Sequence, residues 1–289
     1  MAPLAEFLDR LKILPLYVFP QHGLSRLVAW AARRRRRSWK DLLISLFMRI
    51  YRVDMSSARE PDYHNFENFN AFFTRELRPG VRSVNDDPLI IVCPVDGGIS
   101  RIGNIVDTDM IQAKGHAFTL SELLAGDKDL SECFRDGRFA TLYLSPRDYH
   151  RIHMPADGRL LCMTCVPGRL FPVNRPSTRN IARLFARNER IINIFTTGYG
   201  MMAVVMVGAL CVGSMDTVWA GTVTPPVPRT LRTWDYREDL ISLKKGDELG
   251  RFNMGSSVIL LFEAGSMEWL VELTNGSPVV MGQGLGRWI

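Results

Sequence analysis

A serine pair, a histidine pair and three aspartates supply the parts of a nucleophilic site. Phe252 to Phe262 reads FNMGSSVILLF, so Ser256 and Ser257 follow a glycine and lead into an apolar run whose Val258 and Ile259 favour a β-strand. SPRDYHRIHMP carries His150 and His153, two of the five histidines in the chain. A hydroxyl becomes a nucleophile when a base takes its proton and a third group orients the base. Ser256 or Ser257, then His150 or His153, then Asp96, Asp148 or Asp157 can fill those roles, and spacing alone does not choose among them. A Gly-Ser pair taken by itself is an ordinary turn, with its hydroxyls expected to be exposed at the mouth of the strand.

Other chemistries fit less well. NMGSSV is not the G-x-S-x-G elbow of the α/β-hydrolases. The histidine pair has no obvious third ligand, so no metal site is expected. Cys162 and Cys165 have redox or zinc spacing, but no second such pair follows, and the alternation in RLLCMTCVPG suits a strand. Five cysteines, an odd number spread thinly, do not form a secreted disulfide framework and point to a reducing compartment.

The elements that must position these residues fall into two textures. From about Leu89 onward, short apolar runs (LIIVCP, RFATLYL, RLLCMTCV, RIINIF, MMAVVMVGALCVGSM, VILLF) alternate with Gly, Pro, Asp and Asn, which predicts mainly antiparallel β-structure. TLSELLA and NIARLFARNE read as short helices between strands. Pro94-Val-Asp96-Gly97 and Pro155-Ala-Asp157-Gly158 repeat one turn, each ahead of a strand, as an internal duplication would.

Ahead of that body, Leu24, Leu27, Val28 and Ala31 share one helical face. Trp39, Leu42, Leu43, Leu46, Phe47 and Ile50 share another, with Ser38 and Asp41 as an expected capping box. A third helical stretch is expected around NFNAFFTREL. Between the first two lie Arg33, Arg34, Arg35, Arg36 and Arg37. Residues 1–60 hold 12 Lys and Arg against 5 Asp and Glu, a charge of +7 in a chain whose total is +6. Arginines beside amphipathic helices suit an anionic membrane surface better than nucleic acid. No signal peptide is expected, and the uncharged stretch from Ile13 to Ser25 is too short and too broken by Pro15, Pro20 and Gly23 to span a bilayer. With 289 residues and 46% hydrophobic content, one large domain plus an appendage is expected, the arm over 1–78 and the catalytic body over 79–289.

Collinear blocks along nearly the whole chain, YRVDM, FNAFFTREL, PVDGGIS, QAKGHAFTL, YLSPRDYHRIHMP, LFARNER, VGSMDTVWAGTVTPP, GDELGRFNMGSSVILLF and MGQGLG, resemble the bacterial phosphatidylserine decarboxylase proenzymes. The family's Leu-Gly-Ser-Thr stands here as Met254-Gly255-Ser256-Ser257. That resemblance implies self-cleavage between Gly255 and Ser256, leaving a pyruvoyl group derived from Ser256 as the built-in cofactor. It implies a Schiff base between that group and phosphatidylserine, and release of CO2 and phosphatidylethanolamine. It casts His153 as the base for Ser256, Asp96 as its orienting partner, Asp157 as structural, and His150 as the proton donor after decarboxylation. Ser257 in place of Thr adds a second candidate nucleophile; only Ser256 directly follows the glycine. The implied fold is α+β, a mainly antiparallel body like the barrel-sandwich hybrids behind a helical arm. The implied assembly is a homodimer of cleaved two-chain protomers, peripheral on the cytoplasmic face of the inner membrane, with no nucleic-acid partner. The alternative is a β-rich module without activity that docks through its basic arm.

Overall fold

Short apolar runs between turn formers build antiparallel sheets here, as the alternation predicts. The computed structural model describes residues 15–113, 115–211, 214–225 and 229–289. The first 14 residues of the expected arm, Lys114 of QAKGHAFTL, and Val212, Gly213 and Pro226 of VGSMDTVWAGTVTPP lie outside them.

The largest sheet runs in the order β12 (Arg232–Asp235), β7 (Gly158–Val166), β8 (Arg190–Thr197), β9 (Gly200–Val207), β15 (Ser256–Phe262), β5 (Arg138–Leu144), β2 (Gly97–Asn104) and β17 (Pro278–Val279). β13 (Ser242–Leu243) also pairs with β7. At its centre, every residue of β15 is buried, which explains why VILLF is unbroken rather than alternating: both faces of the strand are covered. A second sheet joins β11 (Gly221–Thr222), β10 (Met215–Thr217), β14 (Glu248–Phe252) and β6 (Arg151–His153). A third joins β1 (Ile90–Val92), β18 (Gly284–Trp288) and β16 (Met267–Trp269), and β3 (Asp109–Ala113) with β4 (His116–Thr119) forms a hairpin. The architecture is α+β and mostly antiparallel. No sheet closes into a barrel among the described residues.

The two Pro-x-Asp-Gly turns interlock. His153 donates its N–H to the Pro94 carbonyl at 2.8 Å, and Val92 donates to the Pro155 carbonyl at 2.9 Å. They open into β2 and β7, which hold matching places three strands from the middle of the run β7-β8-β9-β15-β5-β2. Gly97 must be glycine: a Cβ there would stand 2.3 Å from the Tyr143 carbonyl oxygen of β5.

The arm forms α1 (Gln21–Ala32), α2 (Arg37–Tyr51) and the short α3 (Phe69–Phe73). The expected capping box is absent. α2 begins at Arg37, so Ser38 falls inside the first turn, and the Asp41 carboxylate is taken by Lys40 at 2.6 Å and His64 at 3.0 Å. α1 is turned over relative to an ordinary surface helix. Its buried residues are Gln21, Ser25 and Ala32, with Gln21 accepting from the Leu170 N–H and Ser25 from the Cys211 N–H. Its apolar Leu27 and Trp30 face out, as do Trp39, Leu42, Leu46 and Ile50 of α2. Phe47, Phe69, Phe72 and Phe73 pack edge-on or tilted into a small aromatic core beneath.

Candidate active site

Strand β15 begins at Ser256, which pairs with Leu144 of β5; Ser257 pairs with Tyr143 on one side and Val207 of β9 on the other. Both hydroxyls are therefore buried, 1% and 0% exposed, and neither has a hydrogen-bond partner. The expectation of an exposed Gly-Ser-Ser is corrected by this ladder: the serines belong to the central strand rather than to a turn before it. Immediately upstream, Met254 has φ of 112°, a left-handed value that costs a non-glycine residue about 1–3 kcal/mol. Asn253 is held on both sides, donating to Ser214 Oγ at 2.7 Å and Asp216 Oδ1 at 2.9 Å and accepting from Asn70 at 3.0 Å. Strain thus sits one residue before the Gly255–Ser256 bond, between a clamped asparagine and a locked strand. A Cβ on Gly255 would meet nothing within 4 Å, so there is open space on that side of the bond.

The loop from Ser145 to His150 links β5 to the histidines. His150 is fully buried, stacked on Phe73 at 4.0 Å between ring centroids, and its carbonyl accepts from the Phe252 N–H at 3.1 Å. Neither ring nitrogen completes a hydrogen bond. Burial, then the Arg75 guanidinium, push its pKa down to about 3; the Ser145 and Pro146 carbonyls lean toward the ring and offset part of that. His150 is neutral at pH 7.

His153 has its tautomer fixed by its neighbours. Nδ1 lies 2.7 Å from the Gly246 carbonyl and must donate to it, which leaves the Nε2 lone pair facing the Tyr149 hydroxyl at 3.0 Å. Burial lowers its pKa below the ordinary histidine value, so the free base dominates at neutral pH. In the pairing of β6 with β14, His153 lies opposite Glu248, whereas His150 adjoins Phe252 at the strand's other end, nearer the serines in sequence.

Asp96 does not hydrogen-bond His153. Its carboxylate accepts from Arg82 through two nitrogens, at 3.0 and 2.5 Å, and from the Met281 N–H at 2.8 Å. Its charge still reaches the imidazole and favours the protonated form, after larger effects of burial, Gly246, Glu248 and Arg151. Asp157 is exposed on the surface with Lys244 at 2.9 Å and the Lys245 N–H at 2.8 Å. Asp148 caps its own loop, accepting from the Ser145 N–H at 2.7 Å. The structure thus gathers His150, His153 and Asp96 around one loop, without a hydrogen bond from Ser256 to either histidine.

Arg33 to Arg37 are all exposed. Arg33 donates to Ser214 Oγ at 3.1 Å, Arg34 lies 3.9 Å over the Trp30 ring, Arg35 pairs with Glu67, and Arg37 stands 3.7 Å from Asp41. Among the described residues no cluster of His, Cys, Asp or Glu is placed to hold a metal ion. No helix of the described residues is long and apolar enough to cross a membrane.

Three participants escaped the sequence reading: Tyr149 on His153, Gly246 behind it, and Arg75 beside His150. Tyr149 stood inside SPRDYHRIHMP, and Arg75 in FNAFFTREL follows a buried aromatic pair, a place where an arginine calls for explanation. Gly246 left no signal, since its role is that of a backbone carbonyl 93 residues from its partner.

A family model described as phosphatidylserine decarboxylase matches residues 69–287, and a second, described as PSD, matches residues 11–52. Curated relatives named phosphatidylserine decarboxylase proenzyme align along almost the full chain. One from Methylococcus capsulatus is 53% identical over 93% of this chain and 94% of its own. One from Vibrio parahaemolyticus is 49% identical over 95% and 98%, and one from Pseudomonas aeruginosa 51% over 96% and 97%.

Proposed function

This chain belongs to the phosphatidylserine decarboxylase family, and on that footing we propose that it is a proenzyme that cuts itself at Ser256 and then converts phosphatidylserine to phosphatidylethanolamine and CO2. The observation that carries the reading is the buried, partnerless Ser256 hydroxyl next to a strained Met254 and a glycine. A buried hydroxyl without a partner costs about 1–3 kcal/mol, a cost that a reacting group repays.

Ser256 Oγ attacks the Gly255 carbonyl carbon while His153 Nε2, once the Tyr149 hydroxyl has turned away from it, takes the hydroxyl proton. The C–N bond breaks, freeing the Ser256 amine and leaving an ester. Loss of the Ser256 Cα proton expels the ester oxygen from Cβ, so the upstream chain departs with Gly255 as its terminal carboxylate. The dehydroalanine left behind tautomerises and is hydrolysed, releasing ammonia. A pyruvoyl group at this position supplies the ketone that captures the substrate amine as a Schiff base and takes up the electron pair released with CO2. The residues fit such a group, because position 256 is buried and begins a strand paired with β5. We assign to His150 the return of a proton to the substrate carbon, which requires its protonation in the substrate complex, and to Asp96 the support of His153⁺ through its charge.

The outward apolar faces of α1 and α2, beside five exposed arginines, support a peripheral seat on the cytoplasmic face of the inner membrane. An apolar cavity of about 280 Å³, lined by Val28, Leu43, Leu46, Phe47 and Met254 among others, lies between these helices, and we assign it to the acyl chains because Met254 is two residues before Ser256. We assign the arm to 1–78 and the catalytic body to 79–289, with a homodimer of cleaved protomers as the assembly. Purified protein incubated with phosphatidylserine micelles should release CO2 and show a 34-residue fragment, 256–289, on a denaturing gel. An intact chain that releases no CO2 returns the reading to a binding module.

Two smaller effects are expected. The rate of self-cleavage should fall as pH drops through a His153 pKa lying below 6.5 and be flat above it, since burial disfavours the protonated ring and only the free base accepts the Ser256 proton. A quenched-flow maturation profile that rises only above pH 7 would contradict this. Replacing Arg33 to Arg37 with Gln should weaken binding to phosphatidylserine vesicles and flatten its salt dependence, each charge contributing about 1 kcal/mol at an anionic surface. Self-cleavage and activity in detergent should change much less. Vesicle sedimentation unchanged by the substitution would leave the apolar faces as the anchor.

A further inference from the structure

Among the described residues two guanidiniums lie deep, and they are treated differently. Arg190, 3% exposed, donates to the carbonyls of Glu122, Leu123, Ala186 and Asn188 at 2.6–3.1 Å. Arg75, 5% exposed, makes a single side-chain hydrogen bond, from Nη2 to the Arg147 carbonyl at 3.2 Å, and its buried Nε makes none. No carboxylate of the described residues forms an ion pair with it; Asp96, Asp148 and Asp54 act on it only from a distance. A buried cation left so poorly compensated is costly, and it persists where an anion arrives to complete it.

Arg75 borders a polar cavity of about 550 Å³ that also takes in Arg59, Arg151, Arg251 and Asn70, together with the carboxylates Glu60, Glu67 and Glu76. The other three arginines are already neutralised, Arg59 by Glu76 at 2.7 Å, Arg151 by Glu248 at 2.7 Å and Arg251 by Asp216 at 3.0 Å. Of the four, Arg75 alone has no carboxylate partner among the described residues. Asn70 ties the cavity wall to Asn253, three residues before Ser256, and Arg75 lies near enough to His150 to depress its basicity. The cavity wall is therefore tied to the cleavage segment through Asn70 and Asn253, and Arg75 is tied through the Arg147 carbonyl to the loop that carries His150.

We infer that Arg75 is a substrate-binding residue, holding the phosphodiester of the lipid headgroup in this cavity; the inference rests on the decarboxylase reading above. The headgroup has two anions, and the carboxylate is the poorer candidate. Its charge leaves it as the C–C bond breaks, so an arginine paired with it would stabilise the ground state more than the transition state. The phosphodiester keeps its charge throughout and suits a planar guanidinium.

The test uses matured, full-length protein with phosphatidylserine in neutral detergent micelles, so that the basic arm contributes little. Arg75→Gln should raise KM about 10- to 100-fold with kcat changed much less, the pattern of lost uniform binding. Arg75→Lys should recover part of the loss. Glycerophosphoethanolamine, which has the phosphodiester and amine but no carboxylate, should inhibit the wild type, and its Ki should rise in Arg75→Gln by a factor similar to that for KM. An unchanged KM in a cut, folded Arg75→Gln overturns the inference, and so does a raised KM with an unchanged Ki, which would assign Arg75 to the carboxylate. If Arg75→Gln does not mature, Arg75→Lys is read by the same two constants, and no shift in either overturns the inference. Wild-type protein that releases no CO2 would instead count against the decarboxylase reading itself.

Discussion

Ser256→Ala is expected to yield a folded chain that never cuts itself and never releases CO2. The loss should be total rather than partial, because the missing oxygen is a reactant in the first step and the atom from which the ketone is made. Nothing in the packing opposes the change. The hydroxyl is buried with no partner, so its removal relieves an unmet polar group, and the variant should melt at or above the temperature of an uncut wild-type chain. Intact mass and a denaturing gel decide the matter: one species of 289 residues is expected, with no fragment of 34. Ser257→Ala is the matched control. Its hydroxyl is equally buried and equally partnerless, but it sits one residue further along β15, where it is paired on both sides and does not adjoin the Gly255 carbonyl. It should still mature. A cut Ser256→Ala beside an uncut Ser257→Ala would show that the nucleophile is the second serine.

Much of this arrangement was legible before any coordinates, and the parts that were not share a physical cause. RFATLYL, RLLCMTCV, RIINIF and VILLF became β5, β7, β8 and β15 because strand propensity and local turn formers act over short distances. The Pro-x-Asp-Gly repeat was visible as well, although the mutual hydrogen bonds of its two copies were not. Burial of the serines was hidden because it depends on β5 and β9 closing on either side, strands contributed from more than 40 residues upstream. The polar seat of α1 was hidden for a similar reason. Its apolar stripe was read as a membrane-facing surface, but the opposite face depends on the Leu170 and Cys211 backbone N–H groups, which donate to Gln21 and Ser25. The partner of His153 was least legible of all, since a backbone carbonyl at Gly246 performs the orienting task that residue types assigned to an aspartate.

That substitution of carbonyl for carboxylate sharpens the second large effect, the loss of maturation in His153→Ala. A positioned general base contributes about 10²- to 10⁴-fold, so maturation should slow by about that factor. Gly246 holds the ring in the right tautomer but carries no full charge, so it cannot by itself stabilise the imidazolium formed when Ser256 gives up its proton. Glu248, more strongly, and the buried Asp96 are carboxylates whose charge reaches His153, and Asp96→Asn should therefore slow maturation too, by less than loss of the base itself. Adding it to His153→Ala should cost little more, as expected for groups acting as one unit. The control for folding matters here, because Asp96 also holds Arg82, and breaking a buried pair costs about 3–5 kcal/mol. A melting curve separates slow chemistry from an unfolded chain. Asp157→Asn removes only an exposed pair with Lys244, an interaction of about 0–1 kcal/mol, and should mature at the wild-type rate. His150→Ala supplies the decisive contrast, since His150 is the histidine nearer the scissile segment in the ladder and its nitrogens are free of partners. With His153 as the base, His150→Ala should still yield the 34-residue fragment while losing decarboxylation. An uncut His150→Ala alongside a maturing His153→Ala would transfer the role of base to His150.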